Sequence, residues 1–206
     1  MRSSRRPHTA RPATLTPTTS TSTTPSSTVV WDPLLRLYHW VLAAAVITAW
    51  LTSEDDNPLH IWSGYVVGSW VIFRIIWGIA GPQHARFSDF VRSPRAALDY
   101  LKSLYQGHPQ SYTGHNPAGG LMTLTLLGLL GIQVALGLIM LAHHGEGILA
   151  DTAIAELYSH DLKEGHEFIG NAMLLLIACH LAGVAISSWR HRENLVKAMI
   201  TGRKSS

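Results

Sequence analysis

The sequence predicts an all-α membrane protein, a four-transmembrane-helix bundle with a short cytoplasmic amphipathic helix between helices 2 and 3. The first observation that supports this prediction is the composition. Of all residues, 47% are hydrophobic and 14% are charged, a balance typical of membrane proteins. The second is that apolar residues are concentrated in four segments almost free of charge. Each is about 18 to 25 residues long and therefore able to cross a bilayer. These four predicted spans are residues 34–51, 61–80, 118–142 and 168–189.

Residues 1–28 differ in kind from the rest of the chain. They are rich in Ser, Thr, Pro and Arg and contain almost no aliphatic side chains, so they cannot bury enough apolar surface to fold. Arg5 and Arg6 match the start of a twin-arginine export signal, but no apolar stretch follows before Val29, which argues against one. We therefore expect a disordered N-terminal tail over 1–28 and one membrane domain over 29–206.

Helix boundaries are indicated by three short motifs. Asp32-Pro33 combines an N-cap residue with a proline at the first helical position, and Asn116-Pro117 repeats this arrangement before the third span. Gly81-Pro82 is typical of a helix end and predicts that the second span stops there.

The loop between the second and third spans contains a candidate amphipathic helix over residues 94–105. An α-helical period separates its apolar and charged residues onto two sides, which predicts a helix lying on the cytoplasmic face of the membrane. The apolar side carries Ala97, Leu98, Leu101, Leu104 and Tyr105, and the opposite side carries Arg95, Asp99 and Lys102.

Charge asymmetry predicts the orientation. Of the 16 Lys and Arg residues, all but Lys163 lie in one of three regions: the N-terminal tail and first turn of the first span, the end of the second span with the loop after it, or the C-terminal tail. The other two loops are acidic and include Glu54, Glu146 and Glu156. The positive-inside rule therefore predicts that both termini are cytoplasmic.

The basic character of the chain does not indicate nucleic-acid binding. The net charge is +3 and the pI is near 9.2, but the basic residues flank membrane spans and no recognition motif accompanies them. We interpret them as orientation signals in a protein whose surroundings are the lipid bilayer, with the Arg-rich tail able to contact anionic lipid.

Four histidines lie within or at the ends of the spans, where ionisable residues usually have a function. His166 and His180 are 14 residues apart on the fourth span, so they share a face within about 40° but are separated by about 21 Å along the helix axis. In the predicted orientation, His39 and His180 lie toward the cytoplasm, whereas His60 and His166 lie toward the outer side. One metal ion cannot bridge the two depths, but two cofactors can occupy them.

Each depth-matched pair joins two different helices, which suits a planar macrocycle with two opposed axial imidazoles. We therefore predict two non-covalent haem b groups, with iron ligated by His39 and His180 in one and by His60 and His166 in the other. Covalent attachment of haem through two cysteine thiols is excluded, because Cys179 is the single cysteine of the chain. One alternative is ordinary buried histidines bonded to the backbone. Another is a proton or metal-ion pathway, which explains less because the spans contain no Asp or Glu.

Three glycines support close approach of a porphyrin to the outer pair. Gly64 and Gly68 follow His60 by one and two turns, and Gly170 follows His166 by one turn, so a strip of bare backbone adjoins each ligand. The alternative is a helix–helix contact through small residues.

Two arginines are candidate partners for haem propionates. Arg74 is 14 residues beyond His60, which puts it at the inner depth on roughly the same face, and Arg36 precedes His39 by one turn. The alternative for both is snorkelling to the cytoplasmic interface. His115 is a weaker candidate for lining a quinone pocket near the inner side.

The pattern resembles the bacterial cytochrome b561 family, which includes the b-type cytochrome subunits of nickel-iron hydrogenases. Resemblance covers nearly all of the chain after Val29. It is carried by Arg-Leu-Tyr-His-Trp at 36–40, by Leu-His-Ile-Trp-Ser-Gly at 59–64, and by the run from Gly165-His166-Glu167 through Cys179-His180 to Glu193-Asn194-Leu195. It implies a four-helix bundle in the bacterial inner membrane with two bis-histidine haems on His39, His60, His166 and His180. The segment 114–120 is similar to the hydrogenase-type and cytochrome c-associated branch.

We therefore expect a cytochrome that transfers electrons between a periplasmic redox partner, either a cytochrome c or a dehydrogenase or hydrogenase subunit, and exchangeable membrane quinone. This makes it an electron-transfer subunit rather than an independent enzyme. One alternative is a stand-alone superoxide oxidase that reduces quinone, but the acidic outer loops would repel the anion. A second alternative is a non-haem proton or metal transporter.

Overall fold

The computed structural model describes residues 27–54, 57–108, 110, 112 and 114–205. In this part of the chain two three-residue strands, β1 (Ser27–Val29) and β2 (Arg203–Ser205), flank seven α-helices. Short 3-10 turns cover Gln83–Ala85 and Ala153–Leu157. The α-helices are α1 (Pro33–Leu51), α2 (Pro58–Ala80), α3 (Phe87–Phe90), α4 (Pro94–Tyr105), α5 (Pro117–His143), α6 (His160–His191) and α7 (Leu195–Thr201).

Four of these helices, α1, α2, α5 and α6, are long and apolar enough to cross a membrane, which confirms the predicted all-α fold with four spans. Their bounds exceed the apolar segments, most of all in α6, whose 32 residues begin at His160 rather than at Phe168. The two additional turns are polar, and they continue the helix because backbone hydrogen bonding does not depend on apolar side chains. Side chains such as Ile72 and Leu175 are more than 60% exposed in the isolated chain, as expected of a surface covered by lipid.

The predicted helix ends are confirmed. Asp32 Oδ1 accepts a hydrogen bond from the backbone N of Leu35 at 2.9 Å, and Asn116 Oδ1 accepts one from Gly119 N at 2.7 Å. Gly81 ends α2, with its backbone N bonded to the Trp77 carbonyl. Each cap satisfies a backbone group that the helix itself leaves unpaired.

The interior of the bundle is formed by α1, α2, α5 and α6, with α5 packed against both α2 and α6. Aliphatic side chains fill the middle of this interface: Ala45, Val67, Val71, Leu127, Leu130 and Met173. Gly68 of α2 brings the two helices close together, because a Cβ added there would lie 3.0 Å from Val134 of α5. Small residues permit this kind of close approach between membrane helices.

Both ends of the described chain meet at one end of the bundle. Strand β1 pairs antiparallel with β2, and the Gly202 carbonyl accepts hydrogen bonds from the backbone N of Val30 and of Trp31. Arg36 of α1 donates from Nη1 to the Ile200 carbonyl at the end of α7. Residues 1–26 of the predicted tail lie outside the described residues, and Ser27 and Thr28 at its edge belong to β1. The sequence pattern did not predict α7.

A helix is present at residues 94–105, the position predicted for the amphipathic helix. One side of α4 packs on α5 through Ala97, Tyr100 and Leu104, while Leu98 and Tyr105 are exposed. The Tyr100 hydroxyl lies 3.3 Å from His191 Nε2 at the end of α6, and burial raises the pKa of this phenol, so it stays protonated at neutral pH. The location of α4 on the cytoplasmic membrane surface stays a prediction.

We expect Gly78→Ala to destabilise the bundle. A Cβ at Gly78 would lie 2.2 Å from the Phe87 ring, and displacing that ring costs about 1–3 kcal/mol, more than the gain of about 1 kcal/mol from replacing a helical glycine. Thermal unfolding in detergent measures the effect. Gly183→Ala is the matched control, because its Cβ would meet nothing within 4 Å. Equal unfolding temperatures for the two variants would contradict the prediction.

Candidate functional site

The four site histidines lie on three of the four spans. His39 is on α1, His60 is on α2, and His166 and His180 are both on α6. The His60 and His166 rings face each other across α2 and α6, with centroids 6.1 Å apart and planes inclined by 68°. We call these two residues the outer pair and His39 with His180 the inner pair, following the predicted orientation.

The separation within the outer pair suits a shared metal ion. A metal–imidazole bond is about 2 Å long, so one ion bonded to a nitrogen of each ring holds the two ring centroids about 6 Å apart. The observed 6.1 Å matches that requirement. Two imidazoles from different helices are the donor set of a bis-histidine haem, whose other four iron bonds come from the porphyrin.

His60 is oriented by the backbone of α1. Its Nδ1 lies 2.8 Å from the carbonyl oxygen of Ala49, a contact in which the ring nitrogen donates its proton. The lone pair is then on Nε2, which is free to bind a metal. Hydrogen bonds of this kind fix the tautomer and the ring plane of metal-binding histidines.

His166 lies against α5. Gln133 donates from Nε2 to the His166 backbone carbonyl at 3.0 Å, and a Cβ added at Gly137 would lie 3.3 Å from Cε1 of the His166 ring. Neither residue of α5 was identified from the sequence pattern. The amide of Gln133 could have indicated this contact from the sequence, because it lies within the largely apolar segment 118–142 and polar groups in a span require a partner.

The inner pair joins residues of two different helices, His39 on α1 and His180 on α6. Both side chains are half-buried. Trp40 packs edge-on to the His39 ring at a centroid distance of 5.2 Å. Within the described part of the chain, the buried Nδ1 of His39 has no hydrogen-bond partner. The arrangement therefore offers a second pair of imidazoles, about 21 Å from the outer pair along α6.

Arg74 is almost completely buried, with 2% of its side chain exposed. Its guanidinium lies over the rings of Phe87 and Phe90 of α3, at 4.7 and 5.7 Å from their centroids. Among the described residues, neither Nη atom has a hydrogen-bond partner. A buried cation with two unused donor groups is suited to binding an anion.

Arg36 is used differently from Arg74. Its Nη1 is bonded to the Ile200 carbonyl, and its Nε, which is buried, has no hydrogen-bond partner among the residues that the structure describes. It therefore holds the end of α7 against α1 while keeping one donor available.

The three site glycines have different surroundings. A Cβ at Gly64 would meet nothing within 4 Å, whereas one at Gly68 would lie 3.0 Å from Val134 and one at Gly170 would lie 3.4 Å from Gln133 Nε2. Gly68 and Gly170 thus contribute to contacts with α5, and Gly64 leaves open space one turn from His60.

A cavity of about 190 Å³ lies beside the start of α5. His115 is next to it, with its ring 4.5 Å from that of Phe90 and 4.7 Å from that of Trp31. The cavity combines aromatic walls with charged and polar groups. Its lining residues are Asp89, Phe90, Arg92, Tyr112, Gly114, His115 and Pro117.

No group of three or more His, Cys, Asp or Glu side chains that could hold a metal ion is present within the described ranges. A structural zinc site needs four protein ligands, whereas haem iron needs two axial ones. Paired histidines therefore fit haem better than they fit a metal held by protein alone.

Comparison with known proteins agrees with this chemistry. Residues 30–202 match the family described as prokaryotic cytochrome b561. A probable Ni/Fe-hydrogenase B-type cytochrome subunit from Azotobacter chroococcum mcd 1 is 24% identical, with 84% of this chain and 86% of the relative covered. A protein of the same name from Rhizobium leguminosarum bv. viciae is 22% identical, with 85% and 87% covered. No solved structure matches.

The family match covers residues 30–202, and two facing imidazoles, as in His60 and His166, are a donor set that suits a b-type cytochrome. The chain belongs to the prokaryotic cytochrome b561 family, and it is a multi-pass membrane cytochrome that carries haem b and transfers electrons.

Proposed function

We propose that this cytochrome binds two haem b groups and transfers electrons across the inner membrane, between a periplasmic redox partner and membrane quinone. The observation that carries the proposal is the 6.1 Å separation of the His60 and His166 rings, together with a second histidine, His180, at another depth on the helix that carries His166. Haem b held between two imidazoles supplies one-electron chemistry with no open iron position.

The outer pair holds its ligand through two helices whose relative position is fixed. His60 is oriented by the Ala49 carbonyl, and His166 is held against α5 by the Gln133 contact. The open space at Gly64 gives a flat macrocycle access to the backbone next to His60. Rigid ligands favour electron transfer because little reorganisation accompanies the change of charge.

The inner pair, His39 and His180, extends the path toward the opposite surface. Its distance from the outer pair along α6, about 21 Å, covers most of a hydrocarbon core of about 30 Å. Two redox groups in series therefore shorten each transfer distance relative to the thickness of the membrane.

Arg74 is the candidate partner for a propionate of the inner haem. Burying a guanidinium is unfavourable unless its charge is compensated. Neither Nη group of Arg74 has a hydrogen-bond partner among the described residues, and the two groups match a carboxylate in a bidentate arrangement. The remaining donor of Arg36 offers a second, weaker contact. Both arginines would also raise the affinity of the site for the anionic haem.

The proposed orientation of the chain in the membrane is based on the distribution of charged residues. We infer that both termini are cytoplasmic, because basic residues flank that end of the bundle. The loops at the other end expose Glu54, Glu146 and Asp151, an acidic surface that suits a partner with a basic docking face. Since the relatives are named as hydrogenase cytochrome subunits, a hydrogenase or another dehydrogenase is the favoured partner, with a cytochrome c as the alternative.

Quinone is proposed to bind in the cavity beside His115. Aromatic walls suit a flat ring, and the imidazole offers a donor or acceptor to a quinone oxygen. The cavity opens near the inner end of the bundle, so protons taken up on quinone reduction would come from the cytoplasmic side.

We expect two haems per chain by the pyridine haemochrome assay, falling to one in His60→Ala and in His180→Ala. Removing one axial imidazole from a pair leaves that haem without a stable site, whereas the other pair is unaffected. Optical redox titration of the same samples should show two components in the native protein and one in each variant. His144→Ala, an exposed histidine outside both pairs, is the control and should retain two haems. A native protein without haem would refute the proposal.

We expect Arg74→Gln to lower the midpoint potential of one haem. A buried cation stabilises the reduced, more negative state, so its removal favours oxidation. Arg74→Lys should restore part of the potential, while Arg95→Gln, which removes an exposed cation on α4, should not change it. If both potentials are unchanged in Arg74→Gln, Arg74 does not interact with a haem.

We expect His115→Ala to slow reoxidation of the reduced protein by a water-soluble quinone several-fold or more, while leaving the haem spectrum unchanged. Loss of the imidazole removes a hydrogen-bonding and proton-transferring group beside the ring. Stopped-flow absorbance of the haem band measures the rate. His108→Ala removes an exposed histidine of the same loop and should react at the native rate. Equal rates for the two variants would exclude quinone from this cavity.

A further inference from the structure

Helix α5 carries none of the four site histidines, yet two of its residues contact His166. The first, Gln133, is the amide side chain in the middle of this largely apolar helix. A polar side chain in a membrane span must find a partner, and this one donates from Nε2 to the backbone carbonyl of His166 at 3.0 Å. The acceptor belongs to the same residue whose ring faces His60.

A second contact on α5 reaches the ring itself. Gly137 follows Gln133 by one turn and therefore lies on the same face of the helix. A Cβ added there would lie 3.3 Å from Cε1 and 3.8 Å from Nδ1 of His166, so the absence of a side chain lets the imidazole lie directly against the α5 backbone. Gln133 and Gly137 thus contact the backbone and the ring of a single residue on α6.

We propose that Gln133 and Gly137 are positioning residues that set the orientation of the His166 imidazole for iron ligation. The proposal rests on the proposed ligation of haem by His60 and His166. The Ala49 carbonyl of α1 accepts a hydrogen bond from Nδ1 of the His60 ring, and the His166 ring lies against the α5 backbone at Gly137. Each ring of the outer pair therefore contacts a helix other than its own. The contact at Gly137 restricts the angle of the His166 plane, which is inclined by 68° to that of His60.

The first test compares two glycine variants of the same helix. Gly137→Ala adds a methyl group against the His166 ring, whereas Gly128→Ala adds one that would meet nothing within 4 Å, so any general effect of alanine on α5 is shared. Low-spin EPR of the oxidised protein reports the relative orientation of the two axial imidazole planes. We expect the signal of one haem to shift in Gly137→Ala, or that haem alone to be lost, with the other haem unchanged. Gly128→Ala should match the native protein.

The second test removes the hydrogen bond with little change in the length of the side chain. Gln133→Met keeps an unbranched chain of similar length and lacks the amide donor. We expect a shift in the EPR signal and midpoint potential of the same haem that responds to Gly137→Ala. Tyr65→Phe is the control, since it removes a different polar contact at the outer end of the bundle, between the Tyr65 hydroxyl and the Ile148 backbone N at 3.3 Å. It should leave both haems unchanged.

The outcomes separate this proposal from the one on which it rests. A native protein with no haem, or with one, refutes the proposed function before any variant is compared. Two haems in the native protein, with EPR signals and potentials unchanged in Gly137→Ala and Gln133→Met, refute the positioning role alone. A shift in the controls equal to that in the variants also refutes it. If Gly137→Ala does not fold, Gln133→Met decides the question by itself.

Discussion

Polar groups inside a hydrocarbon layer need partners, and this constraint organises the bundle. The spans contain few charged, imidazole or amide groups, and three of them contact a neighbouring helix. Nδ1 of His60 donates to a carbonyl of α1, Nε2 of Gln133 donates to a carbonyl of α6, and the guanidinium of Arg74 lies against the rings of α3. The first two contacts involve the residues of the outer pair. Apolar packing fills the space between them and gives the arrangement its rigidity.

The depths of the histidines could be predicted because they depend on two regular quantities. Helical rise converts the interval between His166 and His180 into a depth, and charge asymmetry assigns each end of a helix to one side of the membrane. The structure places the His60 and His166 rings 6.1 Å apart, whereas the pairing of His39 with His180 stays a prediction. The four spans and their capping residues could be predicted as well, because they depend on local composition and on short motifs.

Contacts between elements distant in the sequence were not predictable in this way. The contact of the Arg74 guanidinium with the rings of Phe87 and Phe90 depends on α3, a helix of four residues. A helix this short leaves no periodic pattern in the sequence. For Gly68 and Gly170 the sequence left two interpretations open, bare backbone for a macrocycle or a helix–helix contact. The structure places both glycines against α5, a contact that depends on the lateral order of the helices. The contacts of α5 with His166 were also not predictable, because α5 itself carries none of the four site histidines.

The joined ends of the membrane domain have a consequence for its biogenesis. Arg36, near the start of the first span, bonds to the Ile200 carbonyl, 164 positions later in the chain, and β1 pairs with β2 still closer to the end. The ribosome delivers Arg36 long before Ile200, so the first span enters the lipid before this contact exists. The contact must then await translation of α7 and β2. The two ends of the domain are therefore joined only after all four spans have been synthesised.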